Sequence, residues 1–156
     1  MKNPRSLLFG LIAVGGLLAV SFTLMQGPPG GGGVEARDAW VRATAPGASV
    51  GAAYLKLENR SGQTVQLLPS AASSVSARVE LHETRSDGGM MGMRHLDHAL
   101  PIAPGQTADI KPGGLHLMLV GLQAPLKVGD QVQLALALAD GRTLSVNAPV
   151  LDAAPQ

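Results

Sequence analysis

Two-residue alternation of apolar and polar positions dominates the chain beyond its first thirty-odd residues. In SARVELHE, Val79 and Leu81 fall on one side while Arg78, Glu80 and His82 fall on the other, the pattern of a half-buried strand. In DQVQLALALAD, Val132, Leu134, Leu136 and Leu138 alternate with Gln131, Gln133 and alanines, and RTLSVNAP resumes the pattern after Asp140-Gly141. Asp-Gly between two alternating runs predicts a hairpin. Further strands are predicted over 39–43, 51–59, 64–69, 91–95, 107–110 and 115–122, separated by Pro/Gly, Ser-Gly and Gly-Asp turn signals. LALALA has helical propensity, but its neighbours alternate and no cap residues flank it. Short strands punctuated this regularly describe an all-β sandwich or barrel.

The beginning of the chain breaks this pattern. Residues 1–6 (MKNPRS) carry two positive charges, and 7–25 form a 19-residue stretch without a charge. That length suffices for a membrane-spanning helix, at the short end of the range. A charged start before an apolar run also describes a secretory signal. The run exceeds a usual signal core and no clear A-x-A site follows it, so an uncleaved anchor is favoured over a cleaved signal. The expected organisation is an anchor or signal over 1–25, a Gly/Pro linker over 26–35, a β-domain over 36–150 and a flexible tail over 151–156. The basic flank places the N-terminus in the cytoplasm and the domain outside, in the periplasm or its equivalent, held to the cytoplasmic membrane.

Composition narrows the function. Net charge is +1 and no Lys/Arg run follows the first segment, which gives nucleic-acid binding no support. The chain has no cysteine. An exported domain of this kind rests on its core without disulfides, has no thiol for a lipid anchor, and lacks the thiolate of blue-copper sites. No nucleophile elbow, H-E-x-x-H, P-loop or dinucleotide fingerprint occurs, so an enzyme of a familiar class is not expected.

What remains is a concentration of histidine and methionine. His82, His95, His98 and His116 lie within one short span, and Met90, Met91 and Met93 follow Asp87-Gly88-Gly89. Methionine by default fills gaps in cores, and a glycine-rich turn is a poor place for a core. His116 and Met118 are one residue apart, so on a strand an imidazole and a thioether point the same way. A hairpin from His82 to Met93 would bring those two residues opposite one another. With the His116 strand adjacent, two imidazoles and two thioethers would converge. Thioether is soft and neutral, which suits Cu(I) and not Mg, Ca or Zn. For any one of these residues alone, a surface histidine or a packed methionine is the plainer reading.

Here the residues resemble the periplasmic PCuAC copper chaperones. Their signature is a histidine, ten residues, a methionine, about twenty-one residues, then His-x-Met. In this chain ten residues separate His82 from Met93, and twenty-two separate Met93 from His116-Leu117-Met118. DAWVRATAPGASVGAAYLKLEN and KPGGLHLMLVGLQAPLKVGD also look like that family's sequences. The resemblance implies a cupredoxin-like, Greek-key β-sandwich that binds one Cu(I) through His82, Met93, His116 and Met118. It implies delivery to a copper-accepting exported protein, typically the binuclear copper centre of cytochrome c oxidase. Where relatives carry a methionine just after the first histidine, this chain has Glu83 and Thr84. Met90, Met91, His95 and His98 are candidates for an auxiliary metal site. The competing readings are a metal-free β-sandwich that acts as an interaction module, and a copper enzyme or electron carrier.

Overall fold

The computed structural model describes residues 33–155. The anchor or signal expected over 1–25, and all but the end of the expected linker, lie outside the described residues. Ten strands and no helix make up the rest: β1 (Val34–Arg42), β2 (Val50–Asn59), β3 (Val65–Ser73), β4 (Ser76–Asp87), β5 (Met90–His95), β6 (Leu100–Ile102), β7 (Thr107–Ile110), β8 (Leu115–Leu122), β9 (Gln131–Leu138) and β10 (Thr143–Leu151). Among the described residues no helix is long and apolar enough to cross a membrane.

Hydrogen bonding runs β4–β8–β2–β1–β10–β9–β3 and returns from β3 to β4, so the sheet closes on itself as a barrel- or sandwich-like all-β fold. β5, β6 and β7 are attached outside this circuit, on β4, β3 and β2 respectively. Closure removes most strand edges, the feature that makes open sheets prone to pair with other chains. The alternating residues face inward as their pattern requires: Val79 and Leu81 from β4, Leu117 and Leu119 from β8, and Val132, Leu134, Leu136 and Leu138 from β9 are all buried. The Asp140-Gly141 hairpin forms between β9 and β10.

Two departures from the sequence expectation have local causes. The domain begins at Val34, whose side chain is buried, so residues 34–35 belong to β1 and not to a linker. Alternation in β1 changes phase at Asp38, which adopts φ 51° where the register with β2 shifts between Arg37 and Trp40. A bulge turns the following side chains to the other face, which hides the first half of the strand from a period-two reading. The three-residue β6 is too short to show any period.

After the bulge Trp40 pairs with Tyr54 of β2, and their rings stack with centroids 4.6 Å apart. Burial pushes the Tyr54 phenol above its ordinary value, with Arg42 opposing. Tyr54 is the chain's one tyrosine, so tyrosinate absorbance reads this group alone. Its titration midpoint is expected above the value of about 10 for a free tyrosine. The unfolded chain then releases the proton first. Stability from this group is complete below the unfolded pKa and is lost as pH rises through the folded one. Alkaline unfolding followed by Trp40 fluorescence should show that loss, and a Tyr54→Phe variant should lack it.

Candidate metal centre

The strand registers set the site. Within β4, Val79 and Leu81 point into the core, so Glu80, His82 and Thr84 point to the opposite face. On β8, Leu117 and Leu119 are inward, which puts His116 and Met118 on that same outer face. Glu80 lies opposite Met118 and His82 opposite His116. On the other side of β4, His82 lies opposite His95 and Thr84 opposite Met93. Residues paired across neighbouring strands share a face. His95, His82 and His116 therefore form one row across three strands, flanked by Glu80 and Met118 on one side and by Met93 and Thr84 on the other.

This corrects one expectation: Met93 does not face His82. The Gly88-Gly89 turn, with φ of 60° and 88°, joins β4 to β5 as a two-residue hairpin that pairs Asp87 with Met90. Positive φ at both central residues is the hairpin geometry that only glycine or asparagine accepts readily. That turn fixes the register, and it brings His95 opposite His82. Met93 takes a diagonal place on the same face, still within reach of a long side chain.

The imidazoles are close. The His82 ring centroid is 5.3 Å from that of His95 and 5.8 Å from that of His116. His116 is 6% exposed and its Nδ1 lies 3.1 Å from the Gly114 carbonyl oxygen. A carbonyl only accepts, so Nδ1 carries the proton and Nε2 is left with the free lone pair. His82 Nε2 lies 3.1 Å from Glu80 Oε2. Hydrogen bonds from His82 and then from Arg78 hold the Glu80 carboxyl below the usual carboxylate range, so Glu80 is ionised and accepts. His82 Nε2 donates, and in the neutral ring the lone pair falls on Nδ1. That Nδ1 is buried and has no hydrogen-bond partner.

Met93, His116 and Met118 line one groove of about 520 Å³, walled by Thr84, Ala52 and Tyr54. Met93 is 65% exposed, and Met90 and Met91 stand further out along the β5 hairpin, also exposed. His98 points away to pair with Asp97 at 2.9 Å and is not brought to the row. Glu80 and His95 are different: one ligand atom from each of Glu80, His82 and His95 lies within 4.8 Å of the others. Sequence reasoning left Glu80 out of the site. Its period-two alignment with His82 was the available signal.

Residues 34–150 match the family described as "Putative lipoprotein LpqE-like". Lxx21020 of Leifsonia xyli subsp. xyli, named as a lipoprotein, is 36% identical over 120 residues, 77% of this chain and 70% of that protein. RP573 of Rickettsia prowazekii is 29% identical over 104 residues, 67% of this chain and 57% of that protein. Among solved structures, CuI-DR1885 from Deinococcus radiodurans is 37% identical with a TM-score of 0.60, covering 82% of each chain. The copper-bound PCuAC domain from PmoF2 shares the fold at 20% identity, with a TM-score of 0.62 over 76% of this chain and 92% of that one. The chain belongs to the LpqE-like family, and its β-domain is of the PCuAC type.

Proposed function

We propose that this protein is an exported Cu(I) chaperone whose cupredoxin-like, Greek-key domain holds one copper ion through His82, Met93, His116 and Met118. The observation that carries the reading is the His82 Nδ1 atom, buried beside His116 with a lone pair and no partner. Burying a polar atom unpaired is costly, on the order of 1–3 kcal/mol, and a soft cation at that atom would offset the cost. The donors fit Cu(I): imidazole nitrogen and thioether sulfur are neutral, stay unprotonated or nearly so at neutral pH, and resist the oxidation that would couple two thiols. DR1885, the relative at 37% identity, was determined with Cu(I).

Copper here is cargo, so release matters as much as capture. The His82 and His116 side chains are largely buried, whereas Met93 is exposed at the rim of the groove. An incoming ligand from a recipient displaces the rim thioether first and the imidazoles afterwards, which avoids freeing the ion into solvent. The recipient implied by the family resemblance is a copper-accepting exported protein such as the binuclear copper centre of cytochrome c oxidase. Relatives are named lipoproteins. This chain has no cysteine to carry a lipid, so the apolar stretch 7–25 is proposed as its tether to the cytoplasmic membrane. A short tether raises the local concentration of the domain near membrane-bound recipients.

The test is a Cu(I) titration of the full chain against a coloured competing chelator. One equivalent should be held tightly. His116→Ala and Met118→Leu should each weaken retention by at least about tenfold, since even loss of an outer-shell contact costs 10–100-fold. A chain that never competes with the chelator would instead be a metal-free interaction module.

A further inference from the structure

Glu80 and His95 have no part in the thioether set, yet both converge on His82. We propose that Glu80, His82 and His95 form a second cation site, for a borderline divalent ion of the zinc and copper(II) class. The residues differ in kind from those of the Cu(I) site. Two imidazoles and one carboxylate make an N₂O set with a single negative charge, a combination typical of divalent zinc and foreign to Cu(I).

The geometry is close to what such an ion requires. The ligand atoms of the three residues already lie within 4.8 Å of one another. Glu80 Oε2 and His82 Nε2 are 3.1 Å apart with a proton between them. Two ligands bonded at roughly 2.0–2.2 Å to one ion sit about 2.8–3.6 Å apart for angles between 90° and tetrahedral. A divalent ion can therefore take the place of the shared proton with little movement of either side chain. His95, exposed on the two-stranded β4–β5 extension, swings in as the third ligand, and the remaining positions are open to water. Glu80 Oε1 stays paired with Arg78 Nε at 2.6 Å, which fixes the carboxylate plane.

One face of the sheet thus presents two ligand sets that share the His82 imidazole. The thioethers lie toward Met118 and Met93, and the carboxylate and His95 complete the other set. Softness of the ion selects between them.

The experiment is a pair of titrations on the full chain, Zn(II) alone and Cu(II) alone, each against a coloured chelator, on the native sequence and on His95→Ala and Glu80→Gln. Glutamine keeps an oxygen that accepts the His82 Nε2 proton, so the ring stays oriented while the anionic ligand is lost. Circular dichroism confirms that the exposed His95→Ala variant is folded. Affinity for at least one of the two ions is expected to fall by about tenfold or more in both variants, the minimum for losing a direct ligand. The ion that shows the larger drop is the one the site prefers. With Cu(II), nitrogen splitting in the electron paramagnetic resonance spectrum should fall from two imidazoles to one in His95→Ala. Cu(I) retention in His95→Ala should match the native chain. Zn(II) and Cu(II) affinities unchanged in both variants would overturn the inference, as would failure of both ions to bind the native chain. Divalent binding that depends on Glu80 and His95 in a chain unable to hold Cu(I) would sustain this site and remove the chaperone reading, so the two stand or fall separately.

Discussion

Replacing His82 by phenylalanine is expected to abolish Cu(I) retention while leaving the metal-free fold as stable as before or more so. The two effects share one cause. His82 is the middle imidazole of the row, with His95 on one side and His116 on the other. Without it the proposed Cu(I) set keeps one imidazole, that of His116, and the two thioethers. Loss of a central ligand should weaken Cu(I) binding by about a hundredfold or more, the upper end of what even outer-shell changes do. The stability effect has the opposite sign. His82 is 13% exposed at its side chain, and Nδ1 is unpartnered. A phenyl ring fills the same space and removes a buried polar atom whose desolvation costs about 1–3 kcal/mol. The bond to Glu80 disappears, but Glu80 keeps Arg78 and contact with water. Chelator competition and urea unfolding on one preparation check both halves. A marked fall in the unfolding midpoint would show that the imidazole is a structural element, and undiminished Cu(I) retention would remove it from the site. Such an exchange of stability for function is common where an active site carries strain or unsatisfied groups.

How far the sequence alone carried this reading depends on how local each signal was. Period-two alternation found β2, β7, β8, β9 and β10 nearly to the residue, because each carries an unbroken inward set such as Leu134, Leu136 and Leu138. It lost the first half of β1 where Asp38 breaks the phase. His116 and Met118 were legible as a same-side pair because both lie on one strand. The partner of His82 was not, since a pairing across a hairpin depends on turn type, and Gly88-Gly89 admits more than one loop length on paper. The two-residue turn chose His95 in place of Met93. Glu80 escaped for another reason: alternating glutamates on a solvent-facing strand are ordinary, and only the 3.1 Å contact with His82 sets this one apart.

Asn59 was equally invisible, and it supplies the largest expected loss of stability. The sequence marks it only as the polar last residue of the strand predicted over 51–59, yet its side chain is fully buried. Its amide donates to the Gln63 carbonyl at 2.7 Å and to the Ile102 carbonyl at 2.8 Å. Its Oδ1 accepts from the Ser61 backbone N–H at 2.9 Å and from the Ser61 hydroxyl at 2.6 Å. One side chain thus closes the β2–β3 turn and pins β6 to the end of β2. Asn59→Ala would remove the amide donor from the Ile102 carbonyl and the acceptor from the Ser61 N–H, and leave the Gln63 carbonyl with the Ser61 hydroxyl alone, with an expected cost of about 3–5 kcal/mol. That is a large share of the roughly 5–15 kcal/mol that holds a typical domain folded. Asn59→Asp should cost at least as much at neutral pH, although the shape is conserved. An aspartate can still accept from Ser61, but it turns a negative oxygen toward the Gln63 and Ile102 carbonyls. Urea unfolding midpoints should therefore fall in both variants. Asn59 lies seven residues along β2 from Ala52, the partner of Met118, a separation of about 23 Å at the rise of a strand. Folded Asn59→Ala protein should hold Cu(I) as tightly as the native chain. If Cu(I) affinity fell along with stability, the two ends of the barrel would be energetically coupled, and the site could not be treated as a rigid patch on an independent scaffold.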